Sequence, residues 1–212
     1  FYDAEEWAFH YMANVFNHKA TKDDFLTFKK INHQHWEAFQ QNKLTKSEVL
    51  SERFVNYFKH HQMEVDGHRA DVLFRNGLAE AKVKYFDQTL ETIVELSKRH
   101  DLYIVTNGVT ETQKRRLNQT PLHKYIKKIF ISEETGYQKP NPEFFNYVFN
   151  DIGEDERQHS IIVGDSLTSD ILGGINAGIA TCWFNFRGFD HNPGIIPDYE
   201  INSWKQLNDI VR

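Results

Sequence analysis

Ile161-Ile162-Val163-Gly164-Asp165-Ser166-Leu167-Thr168-Ser169-Asp170 is the stretch that decides the fold. Three branched apolar residues in a row read as a strand buried on both faces, as in a parallel sheet. The strand ends in Gly164-Asp165, and helical spacing resumes around Ile171. In an open α/β sheet, ligands gather beyond the carboxyl ends of the strands. Asp165 and Asp170 placed there repel one another unless a cation neutralises them, and hard carboxylate oxygens suit Mg²⁺. Taken alone, the stretch also fits a loop with a helix-capping Asp.

Outward from it, the pattern alternates strand and helix from about residue 83 to the end. Strands are expected at 102–105, 129–131, 161–163, 180–184 and 199–201. Helices are expected over 90–97 (Leu90, Ile93, Val94, Ser97), 110–117, 142–152 and 171–177. Asn141 is expected to cap the third of these, with Pro142 in its first turn and Gly153 at its stop. Ser203-Trp204-Lys205-Gln206 reads as a capping box for a last helix. This is an α/β fold: a Rossmann-like parallel sheet with helices on both faces.

Residues 1–82 lack strand-like runs. Trp7, Tyr11 and Val15, then Phe25, Phe28 and Ile31, Trp36 and Phe39, and Leu50, Phe54 and Phe58 follow helical periods. They predict a helical-bundle cap with these side chains as its core, broken near Asp66-Gly67-His68. The expected domains are therefore 1–82, helical, and 83–212, α/β.

Composition bounds the function. With 212 residues, 40% hydrophobic, the chain can bury a sizeable core. Lys and Arg total 25 against 30 Asp and Glu, a formal charge of −5, which gives no footprint for a nucleic-acid polymer. No apolar run reaches membrane-spanning length. Cys182, the single cysteine, excludes an internal disulfide and reads as a buried small hydrophobe. A cytoplasmic location fits. His33 and His35 fall on different sides of a helix, and His60 and His61 are adjacent, so no histidine metal site is expected.

Three strand ends carry polar groups. Thr106-Asn107-Gly108 follows the strand at 102–105; a hydroxyl, an amide and a helix N-terminus can hold a phosphate. Gly136-Tyr137-Gln138-Lys139-Pro140-Asn141-Pro142 follows the strand at 129–131, with two prolines restricting the backbone around Lys139. A fixed ammonium there can offset charge on a transferring phosphoryl group. Asp165 and Asp170 follow the strand at 161–163.

On these residues the chain resembles the haloacid dehalogenase-like hydrolases. Thr106-Asn107-Gly108, Lys139 in Gly-Tyr-Gln-Lys-Pro, and Gly164-Asp165-Ser166 with Asp170 look like that family's second, third and fourth motifs. Ile104–Val109, Phe130–Glu133, Gly136–Pro140 and Asn176–Ile179 look like its branch of pyrimidine 5′-nucleotidases. The resemblance implies a Mg²⁺-dependent phosphatase of small phosphate monoesters, a nucleoside 5′-monophosphate among them, working through an aspartyl-phosphate. It implies Thr106, Asn107 and Lys139 on the phosphoryl oxygens, Lys139 as the catalytic cation, and Asp165 on the metal. It gives Asp170 the role of orienting metal-bound waters. The family's first motif, Asp-x-Asp-x-Thr, which carries nucleophile and acid–base carboxylates, does not occur in residues 1–212. Phe1-Tyr2-Asp3-Ala4 looks like the segment just after that motif, and Asp3 has no apolar strand before it. The expectation is a natural protein with about 10–20 further N-terminal residues, a strand and a short loop. A general sugar-phosphate or metabolite phosphatase is the alternative within the family. A Mg²⁺- and phosphate-binding module without catalysis is the alternative outside it.

Overall fold

The computed structural model describes residues 2–211; Phe1, the first residue of the expected post-motif segment, lies outside them. It divides into two compact units, one of 1–84 with 111–119, the other of 85–110 with 120–212.

The helical unit holds α1 (Tyr2–Val15), α2 (Lys22–Gln40), α3 (Lys46–His60) and α4 (Gly67–Glu80). Thr21 and Thr45 open α2 and α3 with capping boxes closed by Asp24 and Glu48. Asp66 caps α4, accepting from the backbone N–H of His68 and Arg69. The break therefore lies just before Gly67, which is itself the first residue of the helix.

Phe9, Phe28, Phe54, Tyr57, Phe58 and Phe74 interlock in the core. Phe9 stacks on Phe28 with centroids 5.0 Å apart, and Tyr57 meets Phe9 edge-on at 5.1 Å. The reading of α1 needs correction. Trp7, Tyr11 and Val15 are on its exposed side, with Trp7 stacked on Tyr11 at 5.5 Å. Its buried side is Ala4, Ala8, Phe9, Met12 and Ala13, because small residues let α1 approach α4 closely: a methyl placed on Gly77 would stand 2.9 Å from the Ala8 Cα. Phe39 is buried and meets the half-buried Trp36 edge-on at 5.8 Å. Residues 111–119, most of α6 (Thr110–Asn118), group with this unit, and Arg116 and Gln119 donate to the carbonyls of Leu78 and Ala79.

The α/β unit runs α5 (Thr89–Leu96), β1 (Tyr103–Thr106), β2 (Lys128–Ile131), α7 (Ser132–Thr135), α8 (Pro142–Ile152), β3 (Ile161–Gly164), α9 (Leu172–Ala177), β4 (Ala180–Phe184), β5 (Tyr199–Ile201) and α10 (Leu207–Ile210). All its strand pairings are parallel. The strands form two sheets, β1-β2 and β3-β4-β5, where the sequence pattern suggested one. Among the described residues no strand joins β1 to β3.

Helices cover both faces, as the alternation within β3 requires. Ile162 packs with Phe144, Phe145, Val148 and Phe149 of α8 and with Phe130 of β2, so α8 spans both sheets. Ile161 and Val163 pack on the other side with Leu96 of α5, Cys182, Ile201 and Leu207 of α10. Cys182 is fully buried. Asn141 stands at the N-cap of α8 but its side chain makes no capping hydrogen bond, and Pro142, whose ring suits the first helical position, begins the helix. Gln206 Oε1 does accept from the Ser203 N–H, at 3.1 Å, before the last short helix.

Candidate active site

The candidate residues lie at the carboxyl ends of β1 and β3 and in the loop after α7, all within the α/β unit. Thr106 closes β1, and its hydroxyl accepts from the Gly108 N–H at 3.1 Å, tightening the turn. Asn107 then reaches the lysine loop: its Nδ2 donates to the Lys139 carbonyl at 2.8 Å and its Oδ1 accepts from the Lys139 N–H at 2.9 Å. Its Nδ2 also lies 3.4 Å from Ser169 Oγ, beyond β3. One amide thus ties together the loops of the two sheets.

Lys139 is buried, 5% exposed, so its ammonium needs partners. Nζ donates to the Val105 carbonyl at 2.8 Å and to Asp170 Oδ1 at 2.6 Å. An ammonium has three N–H groups. Two are used, and no third partner exists among the described residues. The peptide after it, Lys139–Pro140, is cis. Asn176 on α9 donates to the Pro140 carbonyl at 3.0 Å and holds the back of the loop.

Asp170 sits in a wide π-helical turn, Leu167–Ile171, that leads into α9. The sequence pattern began a regular helix at Ile171; the structure inserts this turn first, with the Ile171 N–H donating to the Ser166 carbonyl at 3.1 Å. Such turns recur at functional sites. The turn lays Asp170 across the end of β3. A methyl on Gly164 would stand 2.3 Å from Asp170 Cγ, so only glycine fits there. Both Asp170 oxygens are engaged: Oδ1 by Lys139 and Oδ2 by the Ser166 N–H at 3.2 Å. Asp165 is exposed at the strand end, and its carbonyl accepts from Trp183 Nε1 at 3.1 Å.

The structure therefore joins Asn107, Lys139 and Asp170 by direct contact. Thr106 and Asp165 stand at the strand ends beside them in the chain. Sequence reasoning missed Ser166, Ser169, Gly164 and Asn176 as parts of the scaffold. The Gly before Asp165 was the available signal for close approach. Lys139 and Asp170 offset one another in charge.

The family model for haloacid dehalogenase-like hydrolases matches residues 3–184. The chain belongs to this family. Among haloacid dehalogenase-like relatives, YfnB of Bacillus subtilis, described as a HAD-hydrolase, is 41% identical over 211 residues, covering 100% of this chain and 89% of its own length. A crystal structure of YfnB bound to magnesium superposes with a TM-score of 0.94, covering 100% of this chain and 92% of that one. The pyrimidine 5′-nucleotidase PynA of Streptococcus pneumoniae is 33% identical, covering 91% of this chain and 80% of PynA. The pyrimidine 5′-nucleotidase YjjG of Escherichia coli is 31% identical, with 90% and 84% covered. No helix among the described residues is long and apolar enough to cross a membrane.

Proposed function

We propose that the chain serves a Mg²⁺-dependent phosphatase of small phosphate monoesters, with a pyrimidine nucleoside 5′-monophosphate as the substrate. The observation that carries the phosphoryl role is Lys139: a buried ammonium aimed by Val105 O and Asp170, with one N–H left to donate. A phosphoryl oxygen is an acceptor of the right charge for it, and the fixed ammonium stabilises charge without reorganising. Thr106 and Asn107 supply a hydroxyl and backbone amides at the adjacent strand end. Asp170 acts through Lys139 and is a positioning residue; orientation of metal-bound water is its second proposed role.

The donor set fits Mg²⁺. Asp165 is exposed at the end of β3, at the place that the likeness to the family's fourth motif gives to the metal ligand, while Asp170 is turned to Lys139 and the Ser166 N–H. Of the two, Asp165 is the metal-binding residue, in line with the oxygen preference of the ion. When bound, Mg²⁺ neutralises phosphoryl charge so that a carboxylate can approach. That nucleophilic carboxylate and its acid–base partner belong to a first motif that residues 1–212 do not contain; Asp3 is exposed on α1 and paired with Lys84 at 2.6 Å. The two pyrimidine 5′-nucleotidases support the nucleotide substrate over a sugar phosphate.

The test is phosphate release by the intact natural gene product from a panel of nucleoside monophosphates and sugar phosphates. Pyrimidine nucleotides should turn over fastest, and only with Mg²⁺. Lys139→Ala should lower kcat about 10²–10³-fold, as for loss of a fixed electrostatic donor, and Asp165→Asn should abolish the response to Mg²⁺. Binding of phosphate and Mg²⁺ with no turnover of any ester would favour the non-catalytic module instead.

A further inference from the structure

We propose that the helical unit carries a second metal site, His18–Asp24–His61, suited to Zn²⁺ or a similar first-row divalent ion. His18 lies in the link between α1 and α2, Asp24 in the first turn of α2, and His61 caps the end of α3. One ligand atom from each falls within 4.8 Å of the others, and all three residues are half-buried, so an ion can enter from solvent.

The distances suit a shared ion better than a plain ion pair. His61 Nε2 lies 3.3 Å from Asp24 Oδ1, yet it is buried and makes no hydrogen bond. Ligand atoms about 2.0–2.1 Å from a tetrahedral zinc stand about 3.3 Å from each other. The other Asp24 oxygen is already committed, accepting from the Thr21 N–H at 2.7 Å and its hydroxyl at 2.8 Å. The capping box thereby fixes the carboxylate with Oδ1 toward His61.

The rings of His18 and His61 sit 4.4 Å apart. Tyr57 completes the set: its hydroxyl is 2.8 Å from His18 Nε2 and fixes that ring, as partners of metal-binding imidazoles do. Two imidazoles and one carboxylate favour Zn²⁺ over Mg²⁺, with a fourth position left to solvent. An ion held there would clip the ends of three helices together.

The test is equilibrium dialysis of the full chain against Zn²⁺ in saturating Mg²⁺, with bound metal counted by atomic emission. The expected result is one zinc held at this site in the wild type and in Asp165→Asn. His18→Ala and His61→Ala should each weaken it more than tenfold. Tyr57→Phe, which keeps the ring in the core, should weaken it about 10–100-fold. His61→Gln serves if either alanine variant does not fold. No stoichiometric zinc in the wild type, zinc retained unchanged in the histidine variants, or zinc lost only in Asp165→Asn would each overturn the site.

Discussion

Arg53–Asp71 in the helical unit and Lys139–Asp170 in the α/β unit are both cation–carboxylate pairs at 2.6 Å with little exposure. They differ in their surroundings. Asp71 also takes Arg75 Nε at 2.6 Å, and Arg53 donates to Asn32 Oδ1 at 2.8 Å while lying over the rings of Phe54 and Phe74. Asn32 in turn donates to Glu5 at 3.0 Å. Burial pulls the Arg53 guanidinium below its ordinary value, and Asp71 opposes that. This network lies between aromatic rings and knits four helices, and it leaves Arg53 Nε buried without an acceptor among the described residues. The lysine pair is surrounded by backbone and loop atoms at strand ends, with one donor still to offer. Both cations keep a donor without an acceptor, so the contrast lies in the setting: rings inside a helical bundle around Arg53, strand-end loops that carry the candidate site around Lys139.

The sharpest way to break the contrast is Asp71→Ala. It strands a fully buried guanidinium and should cost about 3–5 kcal/mol, the usual penalty for removing one partner of a buried pair. Denaturant unfolding measures it. A loss below 1 kcal/mol (roughly the value of a surface pair) would mean that Arg75, Asn32 and water carry the network without the carboxylate.

Gly164→Ala probes the other side. The added methyl must move Asp170 off Lys139, at a cost of about 1–3 kcal/mol for overpacking, and turnover should fall with it. A variant with unchanged melting temperature and rate would show that Asp170 is not fixed over Gly164.

The smallest effect uses Cys182 as a probe of the α/β unit alone. Burial pushes its thiol from 9.0 up to about 11. Above pH 9 the unfolded chain ionises this thiol while the folded one does not. The thiol's contribution to stability is therefore full below pH 9 and declines as pH rises toward 11. At neutral pH, labelling by a thiol reagent should wait for this unit to open. In Asp71→Ala it should stay slow, because the damage belongs to the helical unit; fast labelling would show that both units open together.

Much of the α/β unit was legible because its strands are short unbroken apolar runs between turn residues, and because α8 places Phe144, Phe145, Val148 and Phe149 on one face. The helical periods of the front were legible too, but periodicity does not say which face is inside. On α1 the aromatic stripe lost to a stripe of alanines, since close helix approach favours small side chains. The candidate residues could be picked from their positions after strands. The bond that joins Lys139 to Asp170 could not, because 31 positions separate them and the π-helical turn that swings Asp170 back has no sequence period. The histidine cluster was invisible for a similar reason: His18 and His61 meet only after three helices have packed.

Gly173 has a bare face turned to the lysine loop and to α8. A methyl there would stand 2.9 Å from the Phe145 ring and 3.3 Å from the Pro140 Cα. The segment that begins with Asp170 therefore also supports the residue after Lys139, through Gly173 and Asn176. One short stretch of chain thus holds the carboxylate directly and braces, from behind, the loop that carries the ammonium.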